Sequence, residues 1–156
     1  MDGNSLVRFQ GVSFVTASLG VNDPKVGDRS QYGDEEYLFV CNIGSSTVSV
    51  GHACTVSAVT GYSVTVSTLT STDFIVGVCK HAVIPTGSYG WLVTRGFTSV
   101  EMGADNSAAA GNVLGVGVDG TFAHASSSTG YTGAVYGKAM EAIASGASGM
   151  AFVRIL

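Results

Sequence analysis

The feature that most constrains this chain is its punctuation. Short runs of valine, threonine and aromatic residues are cut by glycine, serine, asparagine or aspartate roughly every 8 to 12 residues, a spacing typical of strands joined by turns. Between those cuts no long stretch keeps apolar residues at helical spacing. Glycine occurs 22 times in 156 residues and proline only twice, at Pro24 and Pro85. Glycine and the β-branched residues are weak helix formers, and the latter suit a pleated surface. The expectation is an all-β fold of about ten strands, a single compact β-barrel or β-sandwich domain preceded by an extended N-terminal arm.

The pattern divides at about residue 35. Residues 1–35 hold nearly half of the charged residues and read as an arm or extended segment, and residues 36–156 as the β-rich domain. The acidic run Asp34-Glu35-Glu36 has no metal-loop spacing and reads as a solvated edge. In "TVSVGHACTVSA", Val48, Val50, His52, Cys54, Val56 and Ala58 alternate with polar residues, as a half-buried strand pair or one long bent strand containing a glycine would. Thr60-Gly61 reads as a turn into "YSVTVSTL". "DFIVGVCKHAVI" reads as a strand closed by Pro85, and "SYGWLVTRGFTSVEM" as a strand kinked or bulged near Gly96. Tyr89, Trp91, Val93 and Phe97 share even spacing and read as one packed face. "KAMEAIA" favours a helix locally but is too short to hold one, so the C-terminus reads as a hairpin ending in "MAFVRIL".

"LGVGVDGTF" carries glycines at 115, 117 and 120 in the G-x-G-x-x-G spacing of dinucleotide-binding loops. That motif needs a helix starting at the third glycine, and "TFAHASSSTG" cannot supply one. Asp119 and Gly120 both tolerate positive φ, so the stretch reads as a hairpin turn instead. No cofactor is expected.

Composition removes further classes. A formal charge of −4 and the absence of any Lys/Arg cluster argue against nucleic acid as a partner. No apolar run approaches the ~20 residues of a membrane helix, and "MDGNSLVRF" lacks the form of a secretory leader, so no membrane partner is expected. Cys41, Cys54 and Cys79 do not make a disulfide framework and fit synthesis in a reducing cytoplasm. His52-x-Cys54 and Cys79-x-His81 offer a weak alternative, a Cys₂His₂ metal set, which works only if their strands are neighbours. The preferred reading makes the cysteines buried hydrophobes. His124, near serines but without an acidic companion, reads as a solvated histidine rather than a general base. No catalytic set emerges, and the chain is not expected to be an enzyme.

Over its last 110 residues or so the chain resembles the capsid decoration, or cement, proteins of tailed bacteriophages. The resemblance lies in "VSVGHACTVSAVTGYSVTV", in the phrase from Gly77 to Gly96, in the glycine-led hairpin from Gly111 to Gly120, and in "GKAME" from Gly137 to Glu141. It implies a β-rich structural virion protein, made in the host cytoplasm, that sits on the capsid exterior. There it bridges neighbouring major capsid protein subunits, often as a homotrimer. Candidate contact residues on the arm are Arg8, Phe9, Phe14, Arg29 and Tyr32. The competing class is a head-fibre or tail-associated adhesion domain that binds a host glycan through Tyr89, Trp91 or loop residues near Tyr131 and Tyr136.

Overall fold

The computed structural model describes residues 15–20, 23–56, 62–66, 74–125 and 136–155. These form one large, all-β sheet of eleven strands. In chain order they are β1 (Val15–Thr16), β2 (Arg29–Tyr32), β3 (Glu35–Asn42), β4 (Ala53–Val56), β5 (Ser63–Val66) and β6 (Ile75–Cys79). There follow β7 (Tyr89–Glu101), β8 (Val113–Val116), β9 (Phe122–His124), β10 (Gly137–Ala139) and β11 (Ser148–Arg154). The all-β expectation holds, although the sheet does not close as an even barrel. Ala58 and the Thr60-Gly61 turn lie outside the described residues.

Strand pairing traces two circuits that share β7. In the first, β3 pairs with β7 and, in parallel, with β5; β5 pairs with β4, β4 with β6, and β6 returns to β7. Leu38, Val40, Cys54, Val64, Cys79 and Leu92 pack together inside it. In the second, the C-terminal half of β7 pairs with β11, then come β10, β8 and β9. A single bridge between Met102 and Phe122 closes this circuit. Its core of Val100, Leu114, Val116, Phe122 and Val153 continues onto the outside of the first circuit at Phe39, Trp91 and Val93. Each such aliphatic or aromatic side chain contributes roughly 1.5–3 kcal/mol by leaving water.

Strands β3, β4 and β6 of the first circuit are therefore covered on both faces, which hides any period of two. Ala53 and Cys54 are adjacent, both fully buried, and belong to opposite cores. The alternation expected from Val48 to Ala58 accordingly breaks. Val48 makes an isolated bridge to Ile84, a turn follows, and β4 starts only at Ala53. The loop beside it is pinned by Asn42, a buried polar residue whose amide donates to the carbonyls of Ser46 and Ile84 and accepts from the Gly44 N–H. "DFIVGVCKHAVI" ends as a strand at Cys79, well before Pro85.

Strand β7 carries the bulge expected near Gly96. Its register with β11 is regular from Arg95 opposite Arg154 to Glu101 opposite Ser148, but against β3 it slips by one residue beside Glu36 and Tyr37, leaving out Thr94. Gly96 has φ +135, and a Cβ there would lie 2.8 Å from Glu35 Cγ, so only glycine fits. The slip changes which residues face the core. Trp91 and Val93 point inward before it, Thr98 and Val100 after it. Phe97 is thrown outward and stays 46% exposed. The face expected to unite Tyr89, Trp91, Val93 and Phe97 therefore loses its last member.

Two local readings survive intact. Asp119 (φ 55) and Gly120 (φ +73) form the tight turn between β8 and β9, closed by the Gly117 N–H on the Thr121 carbonyl. The final hairpin pairs β10 with β11, and "KAMEAIA" forms no helix. Its Ile143 instead bridges to Ala108.

Candidate functional site

Three groups of residues could carry function: a polar cluster at the bulge, the histidine and cysteine pairs, and an exposed sheet face. The cluster forms where β3 begins. Lys80 donates to Glu35 Oε1, Tyr37 donates to Glu35 Oε2, and Tyr37 Oη lies 3.0 Å from His81 Nε2. With its only hydroxyl proton given to Glu35, Tyr37 accepts from His81, which sets the Nε2–H tautomer. The Tyr37 and His81 rings also stack, 5.7 Å apart.

Burial pushes the Glu35 carboxyl up, but the hydrogen bonds from Lys80 and Tyr37, with the Lys80 and His81 charges, outweigh it and leave its pKa below the ordinary 4.5. Burial, then the hydrogen bond to Glu35 and its charge, pushes the Tyr37 phenol up. His81 is lowered from 6.5 by burial and by Lys80, with Glu35 opposing. Beside them Arg95 Nη1 donates to Glu36 Oε1 at 3.1 Å. The run Asp34-Glu35-Glu36 is thus not a solvated edge. Only Asp34, in the turn, is fully outside, because Glu35 and Glu36 have entered a strand with cationic neighbours.

The four candidate metal ligands are not brought together. Strands β4 and β6 are indeed neighbours, as the metal reading required. Cys54 and Cys79, however, lie inside the first circuit, where burial pushes both thiols up, Cys79 to about 12. Cys79 Sγ donates to the Ala82 carbonyl. His52, just before β4, donates instead to Glu101 Oε2 at 3.1 Å, and His81 serves the Tyr37 cluster. Among the described residues no three His, Cys, Asp or Glu side chains assemble as a metal site. Cys41 is half-buried with a free thiol, and His124 sits half-buried on the edge strand β9 rather than in a solvated loop.

The outer face of β7, β11, β10 and β8 is the most distinctive surface. Phe97 stands opposite Phe152, Phe152 opposite Lys138, and Lys138 opposite Val113, so these four side chains form one row across four strands. The two phenylalanine rings meet edge to face at 5.1 Å. Met150 and Met140, joined by the Met140 N–H on the Met150 carbonyl, extend the apolar area by a second row. Phe97, Val113, Met140 and Met150 are each 40–49% exposed. Arg95 and Arg154 sit side by side at one end of this face, Glu101 and Glu141 at the other. Sequence reasoning missed the face. Gly96 was its one visible signal, since a bulge there reverses the side to which Phe97 points.

Of the arm candidates, Arg29 and Tyr32 lie on β2, the edge strand paired with β3, and both are exposed. Arg8, Phe9 and Phe14 lie outside the described residues, as does Tyr131. Trp91 is buried, packed 5.0 Å from Phe39, while Tyr89 and Tyr136 are half-buried.

No protein-family model matches this chain, and no curated protein matches it in sequence. A solved structure shares its fold. The crystal structure of the head fiber gp8.5 N base in bacteriophage phi29 superposes with a TM-score of 0.54 over 75% of this chain and 92% of that chain. Sequence identity between the two is 16%, so the likeness is one of backbone path and strand arrangement.

Proposed function

We propose that this chain is a non-enzymatic structural protein of a phage head, seated on the capsid exterior and bridging neighbouring major capsid protein subunits. The observation that supports a structural role at a phage head is the fold likeness to a head fiber base over 92% of that chain. The capsid exterior and the bridging of subunits are what the resemblance to decoration proteins implies. Arg29 and Tyr32, exposed on the edge strand β2, and Arg8, Phe9 and Phe14 upstream of it are the contact residues this reading assigns. An edge strand of this kind can pair with a partner's backbone while its side chains select the partner. The glycan-binding reading is not favoured, because Trp91, its best sugar platform, is covered by Phe39.

The test is to add the purified chain to heads that lack it. Co-sedimentation at a fixed, saturable ratio is expected, together with a rise in the temperature at which the heads open. Removal of residues 1–14, upstream of β1, should abolish attachment while the β domain still melts cooperatively. Heads that bind none of the full chain, or bind it without any gain in heat stability, would refute the bridging role.

A further inference from the structure

We infer that the outer face of β7, β11, β10 and β8 is a self-association surface, on which the same face of a second copy packs. The face joins an apolar centre left in water with charged ends on which, among the described residues, Arg154 and Glu141 have no ion-pair partner. Its centre is apolar: Phe97, Phe152, Met150, Met140 and Val113 lie in adjacent rows with much of their surface in water. Isolated exposed apolar residues are ordinary, but a contiguous patch marks a contact.

Its ends carry opposite charge. Arg95 and Arg154 are directly opposed across the β7–β11 ladder, an unfavourable pairing of like charges. Glu36 pairs with Arg95 and His52 with Glu101, whereas among the described residues Arg154 and Lys138 have no carboxylate partner. Glu141, at the far end, accepts the Met150 N–H and has no cation partner there.

A second copy resolves both through one operation. A two-fold axis lying in the face and running across the strands turns one copy over and reverses its strand direction. The apolar rows then meet each other at the usual sheet separation of about 10 Å. Glu101 of the second copy falls opposite Arg95, and its Glu141 opposite Arg154. A copy facing the same way would instead stack arginine on arginine, so the charges choose the antiparallel arrangement. Six residues of strand and four strands span roughly 20 by 15 Å. That is less than the ~800 Å² per partner of a standard stable interface, so the association is reversible and weak, with Kd on the order of 100 μM.

Sedimentation equilibrium of the full chain tests this. The parent should dimerise reversibly. Phe97→Ser, which removes no hydrogen bond and only the ring contact with Phe152, should leave a monomer that still melts cooperatively, a little below the parent. Arg154→Glu alone and Glu141→Arg alone should each weaken association about tenfold through two repelling pairs per dimer. An equimolar mixture of those two variants should recover the parent's affinity, because both cross-copy pairs are then opposite in sign. A parent that stays monomeric up to millimolar concentration overturns the inference. So does association that Phe97→Ser leaves unchanged, or a mixture that associates no better than its components.

Discussion

The two circuits that share β7 are built from the same kinds of residue, yet they treat their faces differently. In the first, β3, β4 and β6 are covered on both sides, by Leu38, Val40 and Leu92 within and by Phe39, Trp91 and Val93 without. In the second, β10 and β11 bury only one side, and the other shows Phe152, Met140 and Met150 to water. The bulge at Thr94 and Gly96 is the boundary between the two regimes. Where one strand runs through two layers, a single inserted residue decides whether an aromatic side chain consolidates the core or becomes a surface anchor. The first region holds the fold together, and the second has surface left for a partner.

The junction between the regions should be the most sensitive point. Gly120 presses the β8–β9 turn of the second circuit against the first, and a Cβ there would sit 2.7 Å from the Ala53 carbonyl oxygen and 2.8 Å from Val66 Cγ1. Gly120→Val therefore meets both a backbone clash and a positive φ, and should cost more than about 3 kcal/mol, measured by urea unfolding. Ile84→Ala empties part of the core enclosed by the first circuit and should cost about 2–5 kcal/mol. Phe97→Ser, on the open face of the second, should cost under about 1.5 kcal/mol, mainly the edge-to-face contact with Phe152. Equal losses at Ile84 and Phe97 would erase the distinction between a sealed region and an open one.

Acid sharpens the same contrast, because the Glu35–Tyr37–His81 cluster belongs to the first region. His81 binds its proton less readily in the folded chain than in the unfolded one, so stability falls as pH drops through 6.5 toward its lowered folded value. Glu35, also lowered, adds a second loss that begins below about 4.5. Both groups contribute fully above those values. His81→Gln should flatten the first limb of the stability profile and Glu35→Gln the second, each with a smaller effect than Ile84→Ala. Unfolding midpoints recorded across the pH range, for the parent and both variants, check the signs.

What could be read in the sequence was whatever depends on neighbouring residues alone. The Asp119-Gly120 turn, the final hairpin and the irregularity at Gly96 are written in local turn chemistry, and all three appear where expected. The face of Phe97 was not legible, because the one-residue slip is made against β3, far away in the chain, whose Glu35 occupies the space beside Gly96. The metal reading failed for a related reason. Spacing of i,i+2 placed the right residue types on neighbouring strands, but both cysteines turned into a closed core while the histidines, beyond the strand ends, found Glu101 and Tyr37. Double-sided burial also erased the alternation on which the strand at Val48 to Ala58 was judged.

The proposed role puts this chain on the outside of a phage head. Electron cryomicroscopy of heads assembled with and without it addresses that claim most directly. Added density of this chain's size is expected, repeated regularly over the outer surface of the shell and touching more than one capsid subunit at each position. Density confined to the tail, or heads that look the same with and without the chain, would contradict it.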